Sequence, residues 1–386
     1  MDLNETKIIY IFINLLLLLT FVLGGYNIKR GGSYWKNALS CSFVFILVMG
    51  TRYGRGYDYF HYVDVYLNGD PNSQYSFLLF NGLLKNILGI GRYFIFYVYA
   101  IPFILCGFKF LKNFQKIANI IFPLFLISMT YFEEYEIRQA LSFSFVFLFM
   151  DTFLNIRQLN WKKVSELALY FMGTLLIHSA NILFIIVFLG LIYGYRKVIN
   201  YKVAIPLLLF CAYVFVKYYD ISYIMPILNL LGGLNQKFAQ YSQGNAAEAW
   251  FGTDAFQLEN ARNPLIQFME IVGNSSLFYF SYKLIKNKNT VKDKSILSFT
   301  NMYILGYCGK QAFLYLEILN RMSGLFQRMW FIPLSVVLTT IRFSKLSLIE
   351  KIMYISMIFV MYDYLKYLFF PNPNMDMFLW DKPNLF

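Results

Sequence analysis

The feature that most constrains this chain is an alternation of long apolar runs with short basic connections. About twelve runs can be picked out, roughly 8–25, 37–51, 92–110, 118–132, 138–155, 164–178, 180–194, 202–218, 265–284, 296–316, 325–341 and 347–369. A hydrocarbon core about 30 Å thick takes about twenty residues of helix, and several of these runs are shorter. Inside lipid the backbone must bond to itself, which leaves helices or closed barrels, and runs of this length select helices. The expected fold is therefore all-α, a polytopic integral membrane protein with about 12 transmembrane helices in one domain over 1–386. The runs 164–178 and 180–194 could also form one helix broken at His178-Ser-Ala180.

Every second connection is basic. These connections hold Lys29, Arg30 and Lys36; Lys109, Lys112 and Lys116; Arg157, Lys162 and Lys163; Arg196, Lys197 and Lys202; Lys283, Lys286, Lys288, Lys292 and Lys294; and Arg342, Lys345 and Lys351. They contain more than half of the 34 lysines and arginines. The positive-inside rule puts them in the cytoplasm and both termini outside. The first run follows Asp2 and Glu5 with only Lys7. It lacks the basic n-region of a secretory leader and is read as a span.

Composition agrees. Charged residues make up 14% of the chain, against about 25% in soluble proteins. The net charge of +13 is divided into short clusters between apolar runs, so it does not point to nucleic acid. The cysteines Cys41, Cys106, Cys211 and Cys308 lie in or beside apolar runs without metal or disulfide spacing. Two histidines, His61 and His178, and no His-Glu-x-x-His leave metal binding without support. Walker, Gly-x-Ser-x-Gly and dinucleotide motifs are absent, so no cofactor is expected.

The connections assigned to the outside differ in kind. Thr51-Arg-Tyr-Gly-Arg-Gly-Tyr-Asp-Tyr-Phe-His-Tyr-Val-Asp64 holds two arginines, two glycines and four tyrosines. Glycines let backbone turn tightly, and guanidinium groups suit phosphate oxygens. Asp58 could act as a base or pair with an arginine. After it, Tyr75 to Leu88 reads as an interfacial helix. Segment 131–138 carries Glu133, Glu134, Glu136 and Arg138, and 317–328 carries Glu317, Arg321 and Arg328. Segment 219–263 is a long extracytoplasmic loop with Tyr241, Trp250 and many amides, which would suit sugars. Five arginines on the face that lysine avoids ask for negative partners. Nearby acids could supply them: Glu134 and Arg138 are an i,i+4 pair. Arg321 and Arg328 are seven apart and would share a helix face. His178 ends an apolar half-helix at the same depth, where a core histidine bonded to a carbonyl is the plainer reading.

Taken together these motifs resemble the EpsG family of Wzy-like polysaccharide polymerases. Arg52-Tyr-Gly-Arg-Gly-Tyr-Asp-Tyr59 resembles its RYGxGxDY signature, with Tyr57 where the family usually has a small or hydroxyl residue. Glu136-Ile-Arg-Gln-Ala-Leu-Ser142 resembles its Arg-Gln helix start, His178-Ser-Ala180 its H-x-S-A segment, and 321–331 its late arginine region. The resemblance implies a glycosyltransferase of the bacterial cytoplasmic membrane, active on the outer face. It would join undecaprenyl-diphosphate-linked oligosaccharides, as both donor and acceptor, into O-antigen, capsule or exopolysaccharide. A chain-length regulator protein is a possible partner. Fixed guanidinium groups can stabilise a leaving diphosphate without a metal. Arg52, Arg55, Arg138, Arg321 and Arg328 are the expected diphosphate ligands, with Tyr59 and Gln139 positioning sugar or phosphate. Asp58 is the first choice of base, with His178 and Glu136 as rivals. An O-antigen ligase or a lipid-linked oligosaccharide flippase are the alternative functions. The outward loop is smaller than a ligase usually shows, and no repeat symmetry marks a transporter.

Overall fold

The computed structural model describes residues 3–56, 58–70, 73–156, 158, 160–195, 197–218, 226, 263–285, 291–314 and 317–370. The loop expected at 219–263, with Tyr241 and Trp250, lies almost wholly outside the described residues, as does Tyr57. Among the described residues the fold is helical with no strand. Five helical stretches are long and apolar enough to cross a membrane: Thr6–Lys29, Ile95–Tyr135, Ile137–Leu154, Tyr201–Tyr218 and Leu348–Phe369. Tyr34–Gly50 and Ser179–Gly194 are shorter apolar helices. The chain is thus an integral membrane protein. Helices also occupy the other apolar runs, but the twelve expected spans exceed the stretches that meet this length and hydropathy.

The chain divides into two compact units, 1–189 with 361–386, and 190–360. The first contains α1 (Leu3–Lys29), α2 (Tyr34–Gly50), α3 (Tyr59–Asn68), α4 (Tyr75–Gly82), α5 (Ile95–Leu111), α6 (Ala118–Tyr135), α7 (Ile137–Leu154), α8 (Trp161–Ile177) and the start of α9 (Ile182–Gly194). The long stretch 95–135 folds back on itself. Lys112–Ile117 form a 3-10 segment with non-helical backbone at Phe114, and Phe103 meets Phe132 while Phe108 meets Phe122. Such pairs require α5 and α6 to run antiparallel. A second reversal falls at Glu136, and Phe132 packs edge-on against Phe143 of α7. Small residues permit close backbone approach in these bundles. At Gly25 an added Cβ would meet the backbone of Ala118.

α8 packs back along α7: the Ser142 hydroxyl donates to the Thr174 carbonyl at 3.0 Å. The chain then breaks at His178, which is extended, and passes through a 3-10 turn into α9. Phe143 meets Phe184 and Phe153 meets Phe188, so α9 runs with α7 and against α8. The two runs are separate helices rather than one interrupted helix.

This up-and-down path sorts the connections to two ends. One end gathers Lys29, Arg30, Lys36, Lys112 and Lys116, all exposed. Tyr34 there donates to the Phe108 carbonyl, and Asn113 donates to Asp151. The other end gathers the start of α1, the end of α2, the start of α5, the α6–α7 junction and the end of α8. α3 and α4 cap it, packing Tyr62, Val63, Tyr66, Phe77 and Leu84 on Phe96, Tyr99, Ile137 and Leu141.

The second unit holds the end of α9, then α10 (Tyr201–Phe210, continued to Tyr218), α11 (Pro264–Ile285), α12 (Val291–Ala312), α13 (Glu317–Gln327), α14 (Phe331–Thr340) and α15 (Leu348–Ser356). The last helix, α16 (Tyr362–Phe369), returns to the first unit. Polar side chains tie the second unit's helices, as expected where the hydrophobic effect between helices is weak. Tyr303 donates to Asn274, Ser276 meets Ser356, and Asn301 bonds Lys197 and Ile199 backbone atoms.

Candidate functional site

The arginine end of the first unit is built from a turn. α2 stops at Gly50, and Gly54 and Gly56 have positive φ, which L side chains rarely adopt. A Cβ on Gly56 would also run into the carbonyl of Glu134. The turn therefore sits hard against the end of α6, and this contact brings its arginines to the glutamates there.

Arg52 is completely buried, with Nη1 3.1 Å from Glu133 Oε2 and its guanidinium 5.0 Å from the Phe96 ring centre. Arg52 Nε and Nη2 are also buried and have no hydrogen-bond acceptor among the described residues. Arg55 is buried too. Its Nε lies 3.4 Å from Glu134 Oε1, and its Nη2 donates to the Val48 carbonyl at 3.0 Å. That carbonyl is one the end of α2 leaves without a backbone donor, and the helix dipole favours a cation there. Tyr10 stands 5.1 Å beneath the guanidinium, and its hydroxyl donates to the Tyr367 carbonyl of α16.

Arg138 is different. The i,i+4 pairing with Glu134 does not form, because the chain breaks at Glu136 (φ −121°, ψ 49°) and Glu134 turns to Arg55. Arg138 is half-buried, has no ion pair among the described residues, and stands 6.0 Å from the Phe77 ring centre. Its backbone N–H donates to the Tyr62 hydroxyl at 3.3 Å. Burial pushes the Tyr62 phenol up; the charge of Arg138 opposes this, and Asp58 and Glu136 add to it. Tyr62 is thus tied through backbone bonds both to Asp58, one turn before it, and to Arg138 at the start of α7.

Asp58 precedes α3 but does not cap it with its side chain. It is half-buried and makes no ion pair or hydrogen bond through its carboxylate among the described residues. Glu136 is half-buried at the α6–α7 break. His178 is half-buried at the end of α8, and its carbonyl lies 3.4 Å from the Ser142 hydroxyl. Gln139 is buried, and its carbonyl accepts from Asn181. Tyr59 is buried and stacked on Phe96 at 4.2 Å between ring centres, with its phenol pushed up by burial. One end of the unit thus gathers Arg52, Arg55, Asp58, Tyr59, Glu136, Arg138 and Gln139. Tyr62 and Phe77 join them without having been singled out from sequence. The available signal for Tyr62 was its place four residues after Asp58, on the same helical face.

Arg321 and Arg328 belong to the second unit and do not share an environment. Arg321 is exposed on α13, whereas Arg328 opens a 3-10 turn and is buried. The two therefore differ in exposure although they lie seven residues apart. Nearby on α12, Gln311 is buried with neither amide atom hydrogen-bonded among the described residues.

Among the described residues no three His, Cys, Asp or Glu side chains come together as a metal site would require. What the arginine end offers is an acid, Asp58, and a guanidinium, Arg138, on residues bonded through their backbone to Tyr62, beside two arginines paired with glutamates. Comparison with curated proteins and with solved structures finds no match. The family comparison does: the model of the EpsG family matches residues 36–378, which takes in most of both units and every candidate site residue from Arg52 to Arg328, and the chain belongs to that family of Wzy-like polysaccharide polymerases.

Proposed function

We propose that this protein is a glycosyltransferase that polymerises undecaprenyl-diphosphate-linked oligosaccharide repeats at the outer face of the bacterial cytoplasmic membrane. One observation carries the reading: Asp58, one turn before Tyr62 in α3, and Arg138, whose backbone N–H donates to the Tyr62 hydroxyl, lie at the same end of the unit, neither with an ion-pair partner among the described residues. The Asp58 carboxylate takes the proton of an acceptor sugar hydroxyl. The hydroxyl oxygen bonds to the anomeric carbon of the donor, whose bond to the diphosphate oxygen breaks. The electron pair leaves on the diphosphate, where Arg138 meets the growing charge. Arg52 and Arg55 lie behind it as fixed positive charges, held by Glu133 and Glu134. The step uses guanidinium charge where other enzymes use a metal. Glu136 and His178 are the rival bases; Asp58 is preferred because no capping bond holds its carboxylate. Tyr59 and Gln139 support the site from behind. Arg321, exposed on α13, is assigned to an anionic part of a lipid-linked substrate at the second unit, with Arg328 supporting it. A chain-length regulator protein is the expected partner, and the product is O-antigen, capsule or exopolysaccharide.

The test is deletion of the gene with plasmid rescue, reading surface glycan and the lipid-linked pool on a gel. Wild type should restore a ladder. Asp58→Asn and Arg138→Ala, expressed at normal level, should leave a single repeat on its acceptor. Long polymer stranded on undecaprenyl diphosphate in the deletion strain would make the protein a ligase. Repeats held on the cytoplasmic side would make it a transporter.

A further inference from the structure

α1 lies outside the range matched by the family, which begins at residue 36. Its buried face reads Thr6, Tyr10, Asn14, Leu17 and Phe21, in steps of four or three that keep to one side of a helix. Toward the lysine end that face is apolar, and at the arginine end it is polar. Polar groups set in a membrane helix are costly and point to function unless another need accounts for them. Asn14 is accounted for, since its side chain donates to the Tyr10 carbonyl at 3.1 Å. Tyr10 reaches further. Its hydroxyl donates to the Tyr367 carbonyl of α16 at 3.1 Å, and its ring centre lies 5.1 Å from the Arg55 guanidinium.

The Arg55 guanidinium thus has neighbours from three elements: Glu134 of α6, the Val48 carbonyl of α2 and the Tyr10 ring of α1. The ring is itself held. Tyr367 lies 4.4 Å from Tyr131 and 6.2 Å from Tyr135 between ring centres, and those two stack at 4.3 Å. Tyr131 and Tyr135 bracket Glu133 and Glu134 in the last turns of α6, so the helix that supplies the counter-charges also anchors the support of Tyr10. A carboxylate and a carbonyl hold a planar cation by its edges and leave it free to tilt. An aromatic ring at cation–π distance resists that tilt.

We propose that Tyr10 is a positioning residue, whose ring fixes the Arg55 guanidinium and with it the turn that carries Arg52 and Asp58. What that turn serves rests on the glycosyltransferase reading above. In this role Tyr10 touches no substrate and acts through Arg55.

The test uses the full chain in proteoliposomes, with lipid-linked repeats extracted from the deletion strain. Tyr10→Leu should lower kcat about tenfold and leave KM within about twofold, whereas Tyr10→Phe, which keeps the ring, should stay within about twofold in both. Phenylalanines with successively more ring fluorines at position 10 keep the shape and drain the negative face of the ring, so the rate should fall step by step along the series. A flat series, or Tyr10→Phe as slow as Tyr10→Leu, overturns the contact with Arg55. Hydrogen exchange supplies a readout that needs no activity. Amides from Thr51 to Gly56 should exchange about tenfold faster in Tyr10→Leu, and those from Lys29 to Tyr34, beyond the other end of α1, should not change. Equal acceleration at both ends makes Tyr10 a packing residue and overturns the proposal. If the turn loosens as expected but wild type makes no polymer, the enzyme reading fails and the positioning stands. If wild type makes polymer and Tyr10→Leu changes neither rate nor exchange, the positioning fails and the enzyme reading stands.

Discussion

At the lysine end of the first unit, Lys29, Arg30, Lys36, Lys112 and Lys116 reach outward on flexible stems and are exposed. At the arginine end, Arg52 and Arg55 are buried, each against a glutamate, and Arg138 is half-buried with no ion pair among the described residues. The same sign of charge serves two purposes. Exposed lysines are close to interchangeable, and what matters is their number on one side. A buried guanidinium needs a partner, because removing that partner strands a charge in a poor solvent. Investment in buried pairs at one end alone marks where geometry matters.

The sharpest way to break this contrast is Glu133→Gln. It leaves Arg52 buried without its anion and should cost about 3–5 kcal/mol, read as a fall in melting temperature in detergent. The double variant Arg52→Met with Glu133→Leu should recover most of that loss, since apolar replacement of a whole buried pair is often neutral. Polymer synthesis by the recovered protein would make the pair a scaffold only; its absence would show that the charge of Arg52 takes part.

Asp58→Asn probes the unpaired groups instead. Polymerisation in reconstituted membranes should fall about 10²–10⁴-fold, the contribution of a placed general base. Melting should stay within about 0.5 kcal/mol of wild type, because no ion pair or capping bond is lost. A parallel loss of stability would move Asp58 from chemistry to structure.

Glycines give a milder comparison. Gly31 at the lysine end and Gly56 at the arginine end both have positive φ, but an added Cβ at Gly31 meets nothing within 4 Å. Gly31→Ala should cost only the backbone term of about 1–2 kcal/mol. Gly56→Ala should cost more, since it displaces the Glu134 carbonyl and with it the Arg55 pair. Equal melting temperatures would show that the turn is not pressed on α6. The smallest effect is expected for Lys116→Ala, within about 0.5 kcal/mol and with polymer length unchanged.

The placement of most candidate residues at helix ends could be read from the chain. The Arg52–Tyr59 run, Glu136–Gln139 and His178 all fall at helix ends of one unit. Glu133 and Glu134 were visible as possible counter-charges, but their partners were not. The i,i+4 rule assigned Glu134 to Arg138 because it assumed an unbroken helix. The break at Glu136 turns Glu134 to Arg55 instead, and Arg321 and Arg328 differ in exposure, which their spacing did not record. Tyr62 and Phe77 stayed hidden among 32 tyrosines and 42 phenylalanines, where one more aromatic residue carries no signal.

By itself the sequence determined that this is a helical membrane protein and where its charges change character. Both follow from local rules: apolar backbone must bond to itself, and lysine clusters are counted loop by loop. Only the tertiary structure decided which arginines are paired with glutamates. Arg52 and Glu133 lie 81 residues apart. They meet because α2 and α6 end at the same level and a glycine lets the turn press against the last carbonyls of α6. No spacing along the chain records that contact.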